Sequence, residues 1–152
     1  MDHKKEAVEL FWSGYNCAQA VFTAFRDVMG LDKDTCLRLS SSFGGGMGRM
    51  RKTCGAVTGM FMVAGFLWGY DDVSDKSVIT DHYALVQQLA AEFKAKHQTI
   101  SCKELLAGIS TDPGAKPTPR NNEFYKTRPC AMFVEDAAEI IEKRLLESNS
   151  VK

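Results

Sequence analysis

The sequence predicts an all-α fold, a compact bundle of about six to seven helices around a buried, glycine-rich central helix. Three observations predict it. Apolar residues recur three and four positions apart through most of the chain, and no segment reads as a strand. Of twelve glycines, eight (Gly44, Gly45, Gly46, Gly48, Gly55, Gly59, Gly65 and Gly69) fall between Phe43 and Tyr70. The last four sit in an apolar segment that reads as a helix, where each costs roughly 1 kcal/mol relative to alanine. Such a helix persists when its small residues let neighbouring helices approach closely, so it is expected to be central and wholly buried.

The elements follow in order. Lys4 to Ser13 reads as a short helix with Val8, Leu10 and Phe11 on its apolar side, broken by Ser13-Gly14. Asn16 is an N-cap for a helix from Cys17 to Met29, carrying Ala18, Val21, Phe22 and Phe25, with Gly30 as its stop. Asp32 restarts a helix through Cys36, Leu37 and Leu39 that ends near Ser42. After the glycine loop, Thr53 is placed as N-cap of a helix from Cys54 to about Gly69. Asp71 to Ser77 is a polar connection. The next helix, Lys76 to about Lys96, presents Ile79, Tyr83, Val86, Ala90 and Phe93 as its core face. Ser101-Cys102-Lys103-Glu104 has the form of a capping box opening a short helix to Ala107. All four prolines lie between Pro113 and Pro129, marking a long loop, a lid or a disordered excursion, over residues 109–128. Pro129 suits the first turn of a last helix to about Leu146, with Phe133, Val134, Ala137, Ile140, Ile141 and Leu145 inward.

The 152 residues suffice for one helical domain, residues 1–152, with a real core. Apolar content of 45% and charged content of 25% are those of an ordinary globular protein. Zero formal net charge gives no reason to expect nucleic acid or an anionic membrane surface as a partner. The charged N-terminus lacks the features of a secretory signal. The longest apolar run, Ala56 to Tyr70, is interrupted by Thr58 and three glycines and falls short of a membrane span. A cytoplasmic protein without membrane insertion is expected, and a homo-oligomer is compatible with the sequence.

Five cysteines in such a chain do not suggest a structural disulfide framework. No Cys-x-x-Cys pair signals a thioredoxin-like motif or a zinc ribbon, and without Cys-x-x-Cys-His no covalent haem is expected. Any site made of these thiols is assembled by the fold. Four of them share a placement: Cys17 follows Asn16, Cys54 follows Thr53, Cys102 follows Ser101 and Cys130 follows Pro129. Each falls in an expected first helical turn, where free N–H groups and the helix dipole favour an anion. A thiolate is both nucleophile and metal ligand, and a helix start lowers its pKa. Lys52, Lys103 and Arg128 add positive charge nearby. Against this stands the commoner role of a buried cysteine as a small apolar residue, which is the reading given to Cys36. The four-fold recurrence favours a shared thiol site.

Other signals are weaker. Gly46 to Thr53 resembles a phosphate-binding loop, but Arg51 stands where a second glycine is needed and no strand leads in. His3, His82 and His97 read as surface or capping residues rather than ligands.

The pattern Asn16-Cys17-Ala18-Gln19-Ala20-Val21, Phe43 to Arg49, Thr53-Cys54-Gly55-Ala56-Val57-Thr58-Gly59, Ser101-Cys102-Lys103-Glu104-Leu105-Leu106 and then Cys130 resembles the C_GCAxxG_C_C family, described as redox-active. The family name writes Gly-Cys-Ala where this chain has Cys-Gly-Ala; Cys36 has no counterpart in it. The resemblance implies a small helical protein whose four cysteines form one redox or metal site. A related domain occurs in split-Soret cytochromes, where such cysteines are associated with an iron–sulfur cluster. By that analogy Cys17, Cys54, Cys102 and Cys130 are the thiolate ligands of an iron–sulfur cluster, with [2Fe–2S] favoured, serving electron transfer or redox sensing toward an unidentified electron partner. Three alternatives stay open: metal-free thiol–disulfide cycling, a structural zinc site, and a transporter-associated small-molecule binder using the glycine loop and basic run as an anion site.

Overall fold

The structure, a computed structural model, describes residues 1–150. Among these residues it is all-α, as the sequence predicts. Its helices are α1 (His3–Trp12), α2 (Cys17–Ala24), α3 (Arg26–Met29), α4 (Lys33–Ser40), α5 (Gly55–Trp68), α6 (Lys76–His97), α7 (Cys102–Leu105), α8 (Asn122–Thr127) and α9 (Cys130–Ser150), with a 3₁₀ turn at Ser41–Phe43. That is more than six or seven, for two physical reasons. The helix expected from Cys17 to Met29 tightens at Phe25, whose N–H bonds to the carbonyl of Phe22 and so separates α2 from α3. The proline-rich stretch contains α8, capped by Asn121, whose side chain accepts from the Phe124 N–H at 2.9 Å.

Helices α1, α2, α5 and α9 pack on one another around one contiguous core, and α6 lies against α5 and α9. Val57, Met60 and Val63 of α5 are fully buried, each stabilising the fold by about 1.5–3 kcal/mol. The helix is nevertheless only half interior. Its first turns are enclosed, whereas Gly65 and Phe66 reach solvent, Phe66 with 51% of its surface exposed. The wholly buried central helix is corrected accordingly. The glycines divide in the same way. A Cβ on Gly59 would lie 2.9 Å from the Ala18 carbonyl oxygen, and one on Gly55 would lie 3.1 Å from the Ala18 nitrogen. These two glycines, four apart on one face, let α5 close onto the backbone of α2. Gly65 meets nothing within 4 Å, so close packing does not explain it.

The core face of α6 also differs from expectation. Leu89 and Phe93 are buried, and Leu85 packs beside them, but Tyr83 is exposed. Tyr83 instead meets Tyr70, just past the end of α5, with the two hydroxyls 2.9 Å apart. On α9 the inward set is as expected, with Phe133, Val134, Ala137, Ile140 and Ile141 buried and Leu145 packed against them. No helix among the described residues is long and apolar enough to cross a membrane.

Two histidines serve the core rather than the surface. His97 packs against Phe93 and Phe133 and bonds Asp136 at 2.7 Å. His3, only 5% exposed, stacks on Phe25 and bridges Glu142 on α9 at 2.5 Å and Asp27 on α3 at 2.9 Å. Replacing His3 by alanine removes both links and leaves a void over Phe25. The expected loss is about 2 kcal/mol, read as a lower urea midpoint at unchanged slope.

Candidate thiol centre

The close approach of α5 to α2 sets the first half of the site. Cys17 is the first residue of α2, held by a complete capping box: Asn16 accepts from the Gln19 N–H at 2.9 Å, and Gln19 accepts from the Asn16 N–H at 3.1 Å. Asn16 also donates to the Ser41 carbonyl, tying this turn to the glycine loop. A Cβ on Gly44 would fall 2.5 Å from the Asn16 side chain, so glycine is required there on steric grounds.

The second half is built by an extended clip. Thr53 pairs antiparallel with Ser101; the Cys54 N–H donates to the Ile100 carbonyl at 2.7 Å, and the Cys102 N–H donates to the Lys52 carbonyl at 2.6 Å. This pairing delays the start of α5 by one residue, so Cys54 itself, not Thr53, is the N-cap. It also takes up part of the capping box expected at α7. Ser101 accepts from the Glu104 N–H, but its own N–H donates to Thr99 Oγ1. Gly46 takes a φ of +74° against this clip, and a Cβ there would come within 2.6 Å of the Cys102 Cβ.

Cys17, Cys54, Cys102 and Cys130 line one cavity of about 540 Å³, within the range that takes a small molecule. All five cysteines are free thiols, and Cys36 is buried away from the cavity. The four thiols are not equivalent. Interaction with the Cys130 thiol, then desolvation and the effect of Cys54, hold Cys17 well above the ordinary thiol range. The same interaction with Cys17 pushes Cys130 down to about 7, helped by Arg128, Arg120 and Arg51 against the opposing effect of burial. Burial pushes Cys54 up to about 12 even though the N–H groups of Val57 and Ala56 favour its thiolate. Burial also raises Cys102, against the bond from Arg51 Nη1 at 3.9 Å. A helix start therefore does not by itself yield a thiolate here: desolvation outweighs it at Cys54.

The cations that matter are only partly those expected. Lys52 and Lys103 are exposed. Arg128 acts on Cys130 as anticipated, but Arg51 and Arg120 act there too. Arg51 belongs to the basic run Arg49, Arg51 and Lys52 that follows the glycines, whereas Arg120 has no local signal. Its guanidinium stacks on Phe11 and Phe124 and donates to the carbonyls of Phe11 and Tyr15, contacts that exist only in the fold.

The proline-rich stretch forms one wall of the cavity. Ala115, Pro117 and Thr118 line it, and Arg49 holds them in place by donating to the carbonyls of Gly114 (2.8 Å), Lys116 and Asp112 (3.2 Å) and to Thr118 Oγ1 (3.0 Å). Arg49→Ala releases this strap at little global cost. Amides of residues 112–118 are expected to exchange hydrogen at least about tenfold faster by mass spectrometry, with the core helices unchanged.

The amides of the glycine loop are less available than its resemblance to an anion site suggested. The N–H groups of Met47, Arg49, Met50, Arg51 and Lys52 all donate to carbonyls within the loop and the 3₁₀ turn before it. Among the described residues, no three His, Cys, Asp or Glu side chains are arranged to hold a metal ion. The four thiols share a cavity but, as placed, do not form a metal-holding set.

Residues 15–144 match the family described as "Putative redox-active protein (C_GCAxxG_C_C)". The chain belongs to this family. No curated protein and no solved structure gives a significant match.

Proposed function

We propose that this protein is a thiol–disulfide redox protein whose working pair is Cys17 and Cys130. The observation that carries the proposal is that the two thiols line one cavity with their two companions and act on each other strongly enough to move in opposite directions, Cys17 up and Cys130 down. Cys17 is held toward its protonated form and Cys130 is pushed toward its thiolate, so Cys130 is the nucleophile and Cys17 the resolving thiol. The Cys130 thiolate attacks one sulfur of a disulfide R–S–S–R′. A Cys130–S–S–R bond forms, the S–S bond of the reactant breaks, and R′S⁻ leaves and takes a proton from solvent. Cys17 then loses its proton, its thiolate attacks the Cys130 sulfur, and RS⁻ departs. The disulfide is reduced to two thiols, and the Cys17–Cys130 dithiol is oxidised to one disulfide. Cys54, held protonated by burial, is no competitor. The test is a thiol count on the oxidised and reduced protein. Two of the five thiols should disappear on oxidation and return on reduction; an unchanged count would sink the proposal.

A second reading keeps the four cysteines as ligands of an iron–sulfur cluster, with [2Fe–2S] favoured by resemblance. It is supported by the four thiols on one cavity and by the arginines around them, which would offset the negative charge of a cluster. The present arrangement of side chains does not fit a metal, so this role would require the sulfurs to draw together. Iron and sulfide analysis after anaerobic purification decides it: both in stoichiometric amount would establish this reading, and neither, even after reconstitution, would remove it.

A further inference from the structure

The cavity has a charge that the chain as a whole does not. The chain is formally neutral, yet the cavity lining includes Arg49, Arg51, Arg120 and Arg128 and no aspartate, glutamate or lysine. Two of these cations are committed: Arg49 to the carbonyls of the strap, Arg120 to the carbonyls of Phe11 and Tyr15. The other two have donors to spare. Among the described residues the Arg51 side chain bonds only the Cys102 sulfur, and its Nη2 is buried without a hydrogen-bond partner. Arg128 touches the face of Phe124. Neither has a carboxylate partner among the described residues. The Cys130 thiol, pushed toward its thiolate, can offset at most one of these two charges, which leaves positive charge to spare in a partly enclosed space. An unpartnered buried guanidinium donor is costly, and an entering anion would satisfy it.

Building on the thiol–disulfide reading, we infer that the substrate is a small disulfide carrying carboxylates, held by Arg51 and Arg128 with its sulfurs at Cys130. The cavity volume suits a molecule of that size rather than a folded partner. A guanidinium presents two parallel donors to a carboxylate, which fixes orientation as well as charge. The preference is diagnostic, because a bare thiolate repels an anionic disulfide.

The test uses three disulfides of similar size on the fully reduced protein: 3,3′-dithiodipropionate (dianionic), 2-hydroxyethyl disulfide (neutral) and cystamine (dicationic). The dianion should oxidise the protein at least about tenfold faster than the neutral compound at low salt, and cystamine more slowly than either. In Arg51→Gln and Arg128→Gln the ratio of dianion to neutral rates should fall several-fold. The ratio is the readout because it cancels any change in thiolate fraction. Equal rates for the dianion and the neutral disulfide would overturn the inference while leaving thiol exchange intact. A protein that no disulfide oxidises would overturn thiol exchange itself. The anion site is then judged alone by calorimetry with 3,3′-thiodipropionate, a thioether that cannot exchange. Saturable binding to the wild-type protein is expected, and its absence would contradict the site.

Discussion

Replacing Cys130 by serine is expected to slow alkylation of the reduced protein by iodoacetamide at pH 7 by about 50-fold or more. The reason is the thiolate fraction. A thiol pushed down to about 7 is half ionised at that pH, whereas an ordinary thiol with a pKa near 9 is about 1% ionised. The sign follows directly: the Cys130 rate should rise with pH through 7 and level off above about pH 8. Below about pH 6 it should fall nearly tenfold per unit. Cys54, pushed up to about 12, should stay silent across this range. Cys17→Ser should behave differently. The nucleophile remains but nothing resolves its adduct, so a mixed disulfide on Cys130 should accumulate stoichiometrically and be visible by intact mass. A Cys130→Ser protein that alkylates as fast as wild type would show that the reactive thiolate lies elsewhere.

A second large effect is expected in the fold beneath the site. Gly59→Leu places a side chain where a Cβ alone would already lie 2.9 Å from the Ala18 carbonyl oxygen. The obstacle is backbone, so α5 must move away from α2, and the loss should be about 3 kcal/mol or more. For a chain of this size that lowers Tm by roughly 10 °C. The separation would also draw Cys17 away from its neighbours, since Gly55, one turn earlier, lets α5 approach so closely that a Cβ there would lie 3.1 Å from the Cys17 Cβ. Gly65→Ala on the same helix should do the opposite. It meets open space, is solvent-exposed, and should raise stability by about 0.5–1 kcal/mol through helix propensity alone. Thermal unfolding of the two variants side by side checks both. Similar responses would mean that the glycines of α5 are not divided by packing.

What the sequence disclosed follows from how local the responsible physics is. Asn16 ahead of Cys17 and Gly30 after Met29 act within one helical turn, so these ends were legible. The placement of cysteines at helix starts was legible for the same reason. Thr53 misled because its backbone pairs with Ser101, a partner nearly fifty residues away along the chain that no local pattern announces. The ranking of the thiols was hidden too. It depends on which sulfur meets which and on how far each is desolvated, both set by the fold. Arg120 illustrates the limit: in the sequence it is one cation in a proline-rich stretch, and in the fold it lies over two aromatic rings and lines the cavity. Asn121, three residues before Phe124, was the available sign that this stretch contains a helix.

The central claim is that Cys17 and Cys130 exchange electrons as a pair. Its most direct measurement is peptide mapping by mass spectrometry after a single oxidation of the reduced protein by 3,3′-dithiodipropionate, with free thiols blocked in acid. The account predicts one disulfide, joining the peptide that contains Cys17 to the one that contains Cys130, with Cys36, Cys54 and Cys102 blocked as free thiols. A bond between Cys54 and Cys102, or any other pairing, would contradict it.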